Sequence, residues 1–358
     1  NMQDEYWLHG KDGTHQNVRM SNDADDFLAL AKESGKPFCL SISYKAPHGP
    51  WDECEPEIFA AIDQSKMPVP ETFTEEAWNN EPVFIQEGIS GVQAQVARAF
   101  KFGPQSTVSH HQRLMAQYYA LIQGMDASIG RIRASLGKHG FAENTVLIFF
   151  SDNGYHIHER GLHGKWLMHE PSIRVPCVMY DPRLPKTARG QVRDEAVLNI
   201  DLAPTMLSLA GVAIPDRMQG EDVSPLLRGE KPAWRRDWLY EHTYTEAWPR
   251  ELPKSIGVRT PEWKYIRYIS ERPVYEQLFN LQIDPHELNN LAASPENRRI
   301  LEQLRRRTDE YRRMIPDNRP DFHEYVDRFI VRKTGRIIAT NPVQFHGVGS
   351  LGQTFKAE

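Results

Sequence analysis

The sequence predicts an α/β protein, a mostly parallel sheet sandwiched by helices, followed by a small antiparallel sheet with one helix. Two observations predict it. In the first 229 residues, apolar runs at 38–44, 145–150 and 175–180 alternate with amphipathic stretches, and continuous apolar strands are those covered on both faces of a parallel sheet. After about Gly229 the pattern changes to short alternating segments with turns between them, as antiparallel strands require. A chain of 358 residues has room for one large domain and one small one.

Each element follows in order. The run 38–44 (Phe-Cys-Leu-Ser-Ile-Ser-Tyr) starts after a Gly-Lys-Pro turn and reads as a strand. Residues 59–112 are rich in Pro, Asn and Gln and read as an insertion. A helix is predicted over 114–136, where Leu114, Tyr118, Leu121, Ile122, Met125, Ile129, Ile132 and Leu136 form one stripe at 3.6 spacing, with Gly137 as its stop. Asp201 is placed to cap a helix that has Pro204 in its first turn and Gly211 beyond its end. Short strands are predicted at 238–240, 256–259, 263–269 and 276–281. Ser294 and Pro295 then open a helix whose inner face is Ile300, Leu301, Leu304 and Tyr311. Its arginines, Arg305, Arg306, Arg307, Arg312 and Arg313, read as a solvated face. The domains are therefore placed at 1–235 and 236–319, with a polar tail over 320–358.

Composition excludes some partners. The chain is 40% hydrophobic and 25% charged, ordinary for a globular protein. Its net charge of −5 comes from interspersed signs, which offers nucleic acid no basic surface. No window approaches the roughly 18 consecutive apolar residues of a membrane helix, so no membrane partner is expected. The chain begins at Asn1, and a missing targeting segment is uninformative there. Cys39, Cys54 and Cys177 have neither metal spacing nor a disulfide framework; Cys39 and Cys177 sit in apolar runs and are expected to be buried thiols.

The chemistry gathers where strands end. In an open parallel sheet, functional groups collect outside the carboxyl ends of the strands. Segment 38–44 runs into Lys45-Ala-Pro-His48, and 145–150 runs into Ser151-Asp152-Asn153. If the two strands are parallel, His48, Asp152 and Asn153 converge. Asp152 and Asn153 are hard oxygen donors that suit Ca²⁺ or Mg²⁺ rather than zinc. The same Asp-Asn-Gly can also make nothing more than an Asx-turn. Lys165 alone reads as a surface lysine, and His48 alone as a loop histidine on a backbone carbonyl. His156, His158 and His163 have the look of a zinc cluster, which the oxygen-donor logic disfavours.

Taken together, these motifs resemble the sulfatase family of the alkaline-phosphatase-like superfamily. The matching residues are Ser151, Asp152, Asn153, Gly154, Glu159, Gly161, Leu162, Lys165, Glu170, Ser172, Arg174 and Pro176. Further matches are Lys36-Pro-Phe with Pro47-His48-x-Pro50, and Asn199-Ile-Asp-Leu-Ala-Pro-Thr205. Met218-Gln-Gly220 with Leu226-Leu227, and Gly257-Val-Arg-Thr260 followed by Trp263-Lys-Tyr265, complete the set. The resemblance runs from about residue 22 to about residue 315.

The resemblance implies an alkaline-phosphatase-like fold that is incomplete at the N-terminus. It implies one Ca²⁺ site held by Asp152 and Asn153, with the other ligands upstream of residue 1. Lys165 would hold a sulfate oxygen, and a protonated His48 would donate to the leaving alkoxide. The family's nucleophile is a formylglycine, made by a maturation enzyme from Cys/Ser-x-Pro-Ser-Arg, and that motif does not occur in this chain. Cys54-Glu-Pro-Glu begins like it but fails at the later positions and follows His48, so Cys54 is read as a decoy. Arg160, His158, His169 and Pro171 depart from the family pattern. Arg160 either binds a second anionic group on a glycan or pairs with Glu159 or Glu170, and His242 is a candidate substrate contact.

The expected function is hydrolysis of a sulfated carbohydrate or other sulfate ester, with this chain as the C-terminal portion of the enzyme. A non-catalytic glycan-binding protein is one alternative. A phosphate or phosphonate monoester hydrolase is another, disfavoured because such sites tend to place His where Asn153 stands. Family analogy points to a periplasmic or secreted location.

Overall fold

The computed structural model describes Gly10, residues 12–88, 108–242 and 253–314, and the backbone of Ile330–Lys333 and Arg336–Ala339. The chain divides into two compact units. One comprises Asn1–Asn79, Gln93–Lys165 and Pro171–Arg235; the other comprises Asn80–Val92, Trp166–Glu170 and Arg236–Glu358.

In the first unit, helix α1 (Gln16–Ser34) is capped by the His15 ring, which accepts the Asn17 N–H, and ends at Gly35 in the left-handed region at φ 62°. Helix α2 (Val108–His139) packs along it. The buried face of α2 includes the expected Leu121, Met125, Ile132 and Leu136, but also Ala116, Ala120, Gly124 and Ser128. Small residues there permit close approach: Ser128 Oγ donates to Asn17 O at 2.6 Å, and Arg131 Nε donates to Ser21 Oγ at 2.9 Å. Gly137 lies inside α2, and the glycine just past its end that adopts a positive φ, 85°, is Gly140, the geometry favoured at a helix terminus.

Segment 38–44 differs from the sequence expectation. It forms no strand and has no ladder partner among the described residues. Phe38, Leu40, Ile42 and Tyr44 are half-buried, whereas Cys39, Ser41 and Ser43 are exposed. Phe38 lies edge-on to Phe27 and Phe141, and the Tyr44 hydroxyl bonds Ser128 Oγ at 2.9 Å. One face is therefore covered by helices and the other by nothing described.

Strand β1 (Leu147–Phe150) has one ladder partner among the described residues. After a short hairpin of β2 (His156–Ile157) and β3 (His163–Gly164), the chain returns as β4 (Cys177–Tyr180), which pairs with β1 antiparallel, Leu147 opposite Tyr180. The pairings among the described residues are all antiparallel. Between β1 and β4 the chain forms the β2–β3 hairpin and the short helix Glu170–Ile173. Phe150, Val178 and Tyr180 are exposed. Cys39 and Cys177, expected to be buried, are exposed too, and Cys54 is the buried cysteine.

Helix α3 (Leu202–Leu209) starts where expected, but the Asp201 side chain does not cap it. The wholly buried Asp201 carboxylate instead accepts the N–H groups of Leu198 (2.7 Å) and Glu221 (2.8 Å) and both arms of the Arg235 guanidinium. Gly220 belongs to this arrangement, because a Cβ there would overlap the Ile200 carbonyl. Segment 59–112 contributes the helix Glu75–Asn79 to the first unit; residues 89–107 of it lie outside the described residues.

The second unit is a four-stranded antiparallel sheet, β5 (Trp238–His242), β6 (Ser255–Arg259), β7 (Trp263–Tyr268) and β8 (Tyr275–Asn280), in that order. Helix α4 (Arg298–Met314) buries Leu301 and Leu304 against Val258, Tyr265 and Leu278, with Ile300 and Tyr311 at the margin. Two of its arginines are not merely solvated. Arg305 grips Glu276, and Arg307 holds Asp237 at 2.8 and 2.9 Å. In the tail, Ile330–Lys333 pairs with Arg336–Ala339; the rest of 320–358 lies outside the described residues.

Candidate active site

The site grows from the end of β1. Ser151 Oγ donates to Asn153 O at 3.0 Å, and Asp152 Oδ1 accepts the Asn153 N–H at 2.9 Å. This is not the Asx-turn that an Asp-Asn-Gly can make on its own, which needs the carboxylate to accept the N–H two residues on; the Gly154 N–H goes instead to Ser172 O. Two longer-range constraints hold this strand end. Asn199 Nδ2 reaches across and donates to the carbonyls of Ser151 (3.2 Å) and Asp152 (3.1 Å). Gly154 donates its N–H to Ser172 O at 2.8 Å, and a Cβ on Gly154 would overlap the Pro171 carbonyl. Only glycine allows this approach, which fixes the strand end against the chain that returns towards β4.

Lys165 is brought to this turn. Its Nζ donates to Asn153 Oδ1 at 3.2 Å although twelve residues separate the two. The Lys165 ammonium, the Asn153 amide and the exposed Asp152 carboxylate therefore share one surface of the first unit. His48 lies on an exposed turn, where its Nδ1 is 2.9 Å from Gly49 O. The same turn carries Trp51, whose indole N–H donates to Pro47 O and whose ring lies edge-on to Tyr118 (5.6 Å), Tyr155 (6.0 Å) and His163 (5.3 Å). Trp51 thus ties the His48 turn to the loop between Asn153 and Lys165. Sequence reasoning missed Trp51, Tyr155 and Asn199; Asn199 stood in a matched motif, but no pattern showed which carbonyls it would hold.

The loop beneath the site is built on buried histidines. The His111 Nε2–H donates to Pro68 O at 2.9 Å, since a carbonyl can only accept, so His111 Nδ1 accepts from His158 Nδ1. Phe73 stacks on both rings at 5.5 Å. Burial, then the neighbouring His163, His111 and His110, pushes His158 down to about 2, and burial pushes His163 down to about 4. Both are neutral wedges at pH 7. His158 at φ 82° and Arg160 at φ 60° turn the chain through the left-handed region. Arg160 is buried, its N–H donates to Thr72 Oγ1 at 3.0 Å, and Gly161 packs under Trp78. Glu170, one partner considered for Arg160, is bonded by Arg259 and Lys264. His242 closes β5 of the second unit opposite Ser255.

The donor set decides what a metal could find here. Asp152 and Asn153 have the hard oxygens that Ca²⁺ prefers, but Ca²⁺ takes six to eight ligands. Among the described residues no group of three or more His, Cys, Asp or Glu is arranged to hold a metal. These two residues are at most part of a site, and the histidines form no zinc cluster among the described residues. Cys54 is no nucleophile in this arrangement. It is packed with Ala46, Ala120 and Leu121, and burial raises its thiol above the usual range, whereas a reactive cysteine needs a lowered one.

Structural comparison places the fold in the alkaline-phosphatase-like class. A solved protein in complex with its substrate D-glucosamine-2-N,6-O-disulfate superposes with a TM-score of 0.71 at 23% identity, over 86% of this chain and 72% of that one. The sulfatase family model matches residues 1–212, and the model for the C-terminal part of N-sulphoglucosamine sulphohydrolase matches residues 158–314. The chain belongs to the sulfatase family. An N-acetylglucosamine-6-O-sulfatase of Bacteroides thetaiotaomicron is 26% identical over 82% of this chain and 61% of its own length. An arylsulfatase of Clostridium perfringens is 30% identical over 83% of this chain and 57% of its own length. The chain thus spans about three-fifths of the length of these curated relatives.

Proposed function

We propose that this chain is the part of a sulfuric ester hydrolase for sulfated carbohydrates that recognises the sulfate and protonates the leaving group. The observation that carries the reading is the 3.2 Å bond from Lys165 Nζ to Asn153 Oδ1, which sets a fixed cation beside the oxygen pair at a strand end. The relatives named for N-acetylglucosamine 6-O-sulfate and glucosamine disulfate support a sulfated amino sugar as substrate class.

In this reading Lys165 neutralises a sulfate oxygen and offsets charge that builds as the S–O bond breaks. His48, protonated, donates to the sugar alkoxide as it leaves, a contribution of roughly 10²–10⁴-fold. Asp152 and Asn153 would be this chain's share of a Ca²⁺ site whose other ligands lie outside the described residues, and the ion would supply positive charge to the site. The formylglycine and the enzyme that matures it are likewise supplied from outside this sequence.

The test is calorimetric titration of the chain with N-acetylglucosamine 6-sulfate, alongside turnover of 4-nitrophenyl sulfate and 4-nitrophenyl phosphate. Turnover is measured with the chain extended upstream by a segment bearing Cys/Ser-x-Pro-Ser-Arg. Lys165→Ala should lower turnover of the sulfate at least 100-fold with an unchanged unfolding midpoint. Near-normal turnover by that variant, or preference for the phosphate ester, would overturn the assignment.

A further inference from the structure

The second unit contains a buried ion network that the proposed chemistry does not use. Lys264, on β7, is wholly buried, with its Nζ 2.7 Å from Glu170 Oε1 and 2.6 Å from Glu287 Oε1. Glu287 is equally buried and stands at φ 58°, and its other oxygen accepts the Glu170 N–H at 2.7 Å. Arg259, on β6, adds Nε and Nη2 to the two Glu170 oxygens at 3.2 and 3.4 Å. Two acids and two bases thus close on one another, and a single backbone amide is held by a carboxylate. Burying so many charges is costly unless each finds a partner, and here the partners converge on Glu170.

The same sheet secures the rest of the segment Trp166–Glu170. The Tyr240 hydroxyl donates to Trp166 O at 2.7 Å. Leu167 and Met168 are buried, and a Cβ on Gly257 would overlap the Tyr265 carbonyl and crowd Met168 Sδ. The His169 ring meets Phe279 edge-on at 6.1 Å. Trp166 itself adopts φ 80°. A bulky side chain there is strained, and such strain persists only where the surroundings over-determine it. Trp166 is joined by one peptide bond to Lys165.

We infer that Glu287, through Lys264 and the Glu170 amide, is a positioning residue that fixes the backbone of Trp166–Glu170, the segment that directly follows Lys165 in the chain. This gives a use to the matched residues Gly257, Arg259 and Lys264, none of which carries chemistry of its own. The inference rests on the assignment of Lys165 to sulfate.

The experiment compares the 358-residue chain with its Glu287→Gln, Tyr240→Phe and Lys165→Ala variants. Two quantities are read: amide hydrogen exchange over residues 164–170, and affinity for inorganic sulfate. Glu287→Gln should speed exchange of the 166–170 amides at least tenfold and weaken sulfate at least fivefold, while amides in β7 and α4 keep their protection. Tyr240→Phe removes one oxygen without disturbing the ion network and should loosen 165–167 in the same direction, which covers the case in which Glu287→Gln fails to fold. Unchanged exchange at 165–170 in both variants overturns the inference. Normal sulfate affinity in Glu287→Gln beside a weakened Lys165→Ala overturns it while leaving Lys165 in its role; normal affinity in Lys165→Ala overturns both.

Discussion

Acid should loosen the loop beneath the candidate site, and the size of the effect can be worked from two rings. Burial holds the folded His163 near 4 against an ordinary 6.5. Above pH 6.5 both folded and unfolded chains carry it neutral, so it contributes no pH dependence there. As pH falls below 6.5 the unfolded chain binds a proton that the folded chain refuses, so stability drops until pH reaches about 4 and then levels off. Between pH 7 and pH 5 the loss is about 1.5 units at 1.36 kcal/mol each, or about 2 kcal/mol. His158, held near 2 by burial and by His163, His111 and His110, adds up to about the same again over this range. The two rings are 5.5 Å apart and share one desolvated region, so about 2–4 kcal/mol brackets the sum. The assay is urea unfolding at pH 7, 6 and 5 on the wild type and His163→Phe. Phenylalanine keeps a ring against Trp51 and Tyr155 and removes the titration; Nδ1 of His163 has no hydrogen-bond partner to lose among the described residues. The variant should lose about 2 kcal/mol less than the wild type on acidification. Parallel slopes for the two proteins would refute the reasoning.

The remaining predictions concern how the turn at the strand end is held. Arg235→Ala leaves the Asp201 carboxylate buried without its guanidinium and should cost about 3–5 kcal/mol in urea unfolding. Arg235→Lys should recover only part of this, because it cannot reproduce the two-armed contact. Gly154→Ala pushes a methyl group into the Pro171 carbonyl and should destabilise by about 1–3 kcal/mol, with a matching loss of sulfate affinity because Asn153 is displaced. A Gly154→Ala protein with wild-type stability would show that the Gly154–Pro171 approach is dispensable.

Local patterns in the sequence carried a good deal of this. The stripe from Leu121 through Met125, Ile132 and Leu136 marked α2, and the alternation around 256–259 and 263–269 marked the antiparallel sheet, because period and burial are properties of a single element. The Asp152-Asn153-Gly154 turn and Lys165 were visible as residue types that share one chemistry. Which groups meet was another matter. The Lys165–Asn153 bond, the two Asn199 contacts, the clasp of Asp201 by Arg235 and the closure of Lys264 on Glu170 and Glu287 join residues far apart in the chain, and no short-range period encodes them. Strand pairing shows the same limit. An apolar run such as 147–150 says that a strand must be covered, but not by what. Its described partner is β4, antiparallel, and Phe150 and Cys177 are exposed. Sequence set the chemistry of each side chain and the regularity of each element; tertiary structure decided distance, desolvation and partner, which is why Lys165 meets the Asn153 amide rather than standing alone.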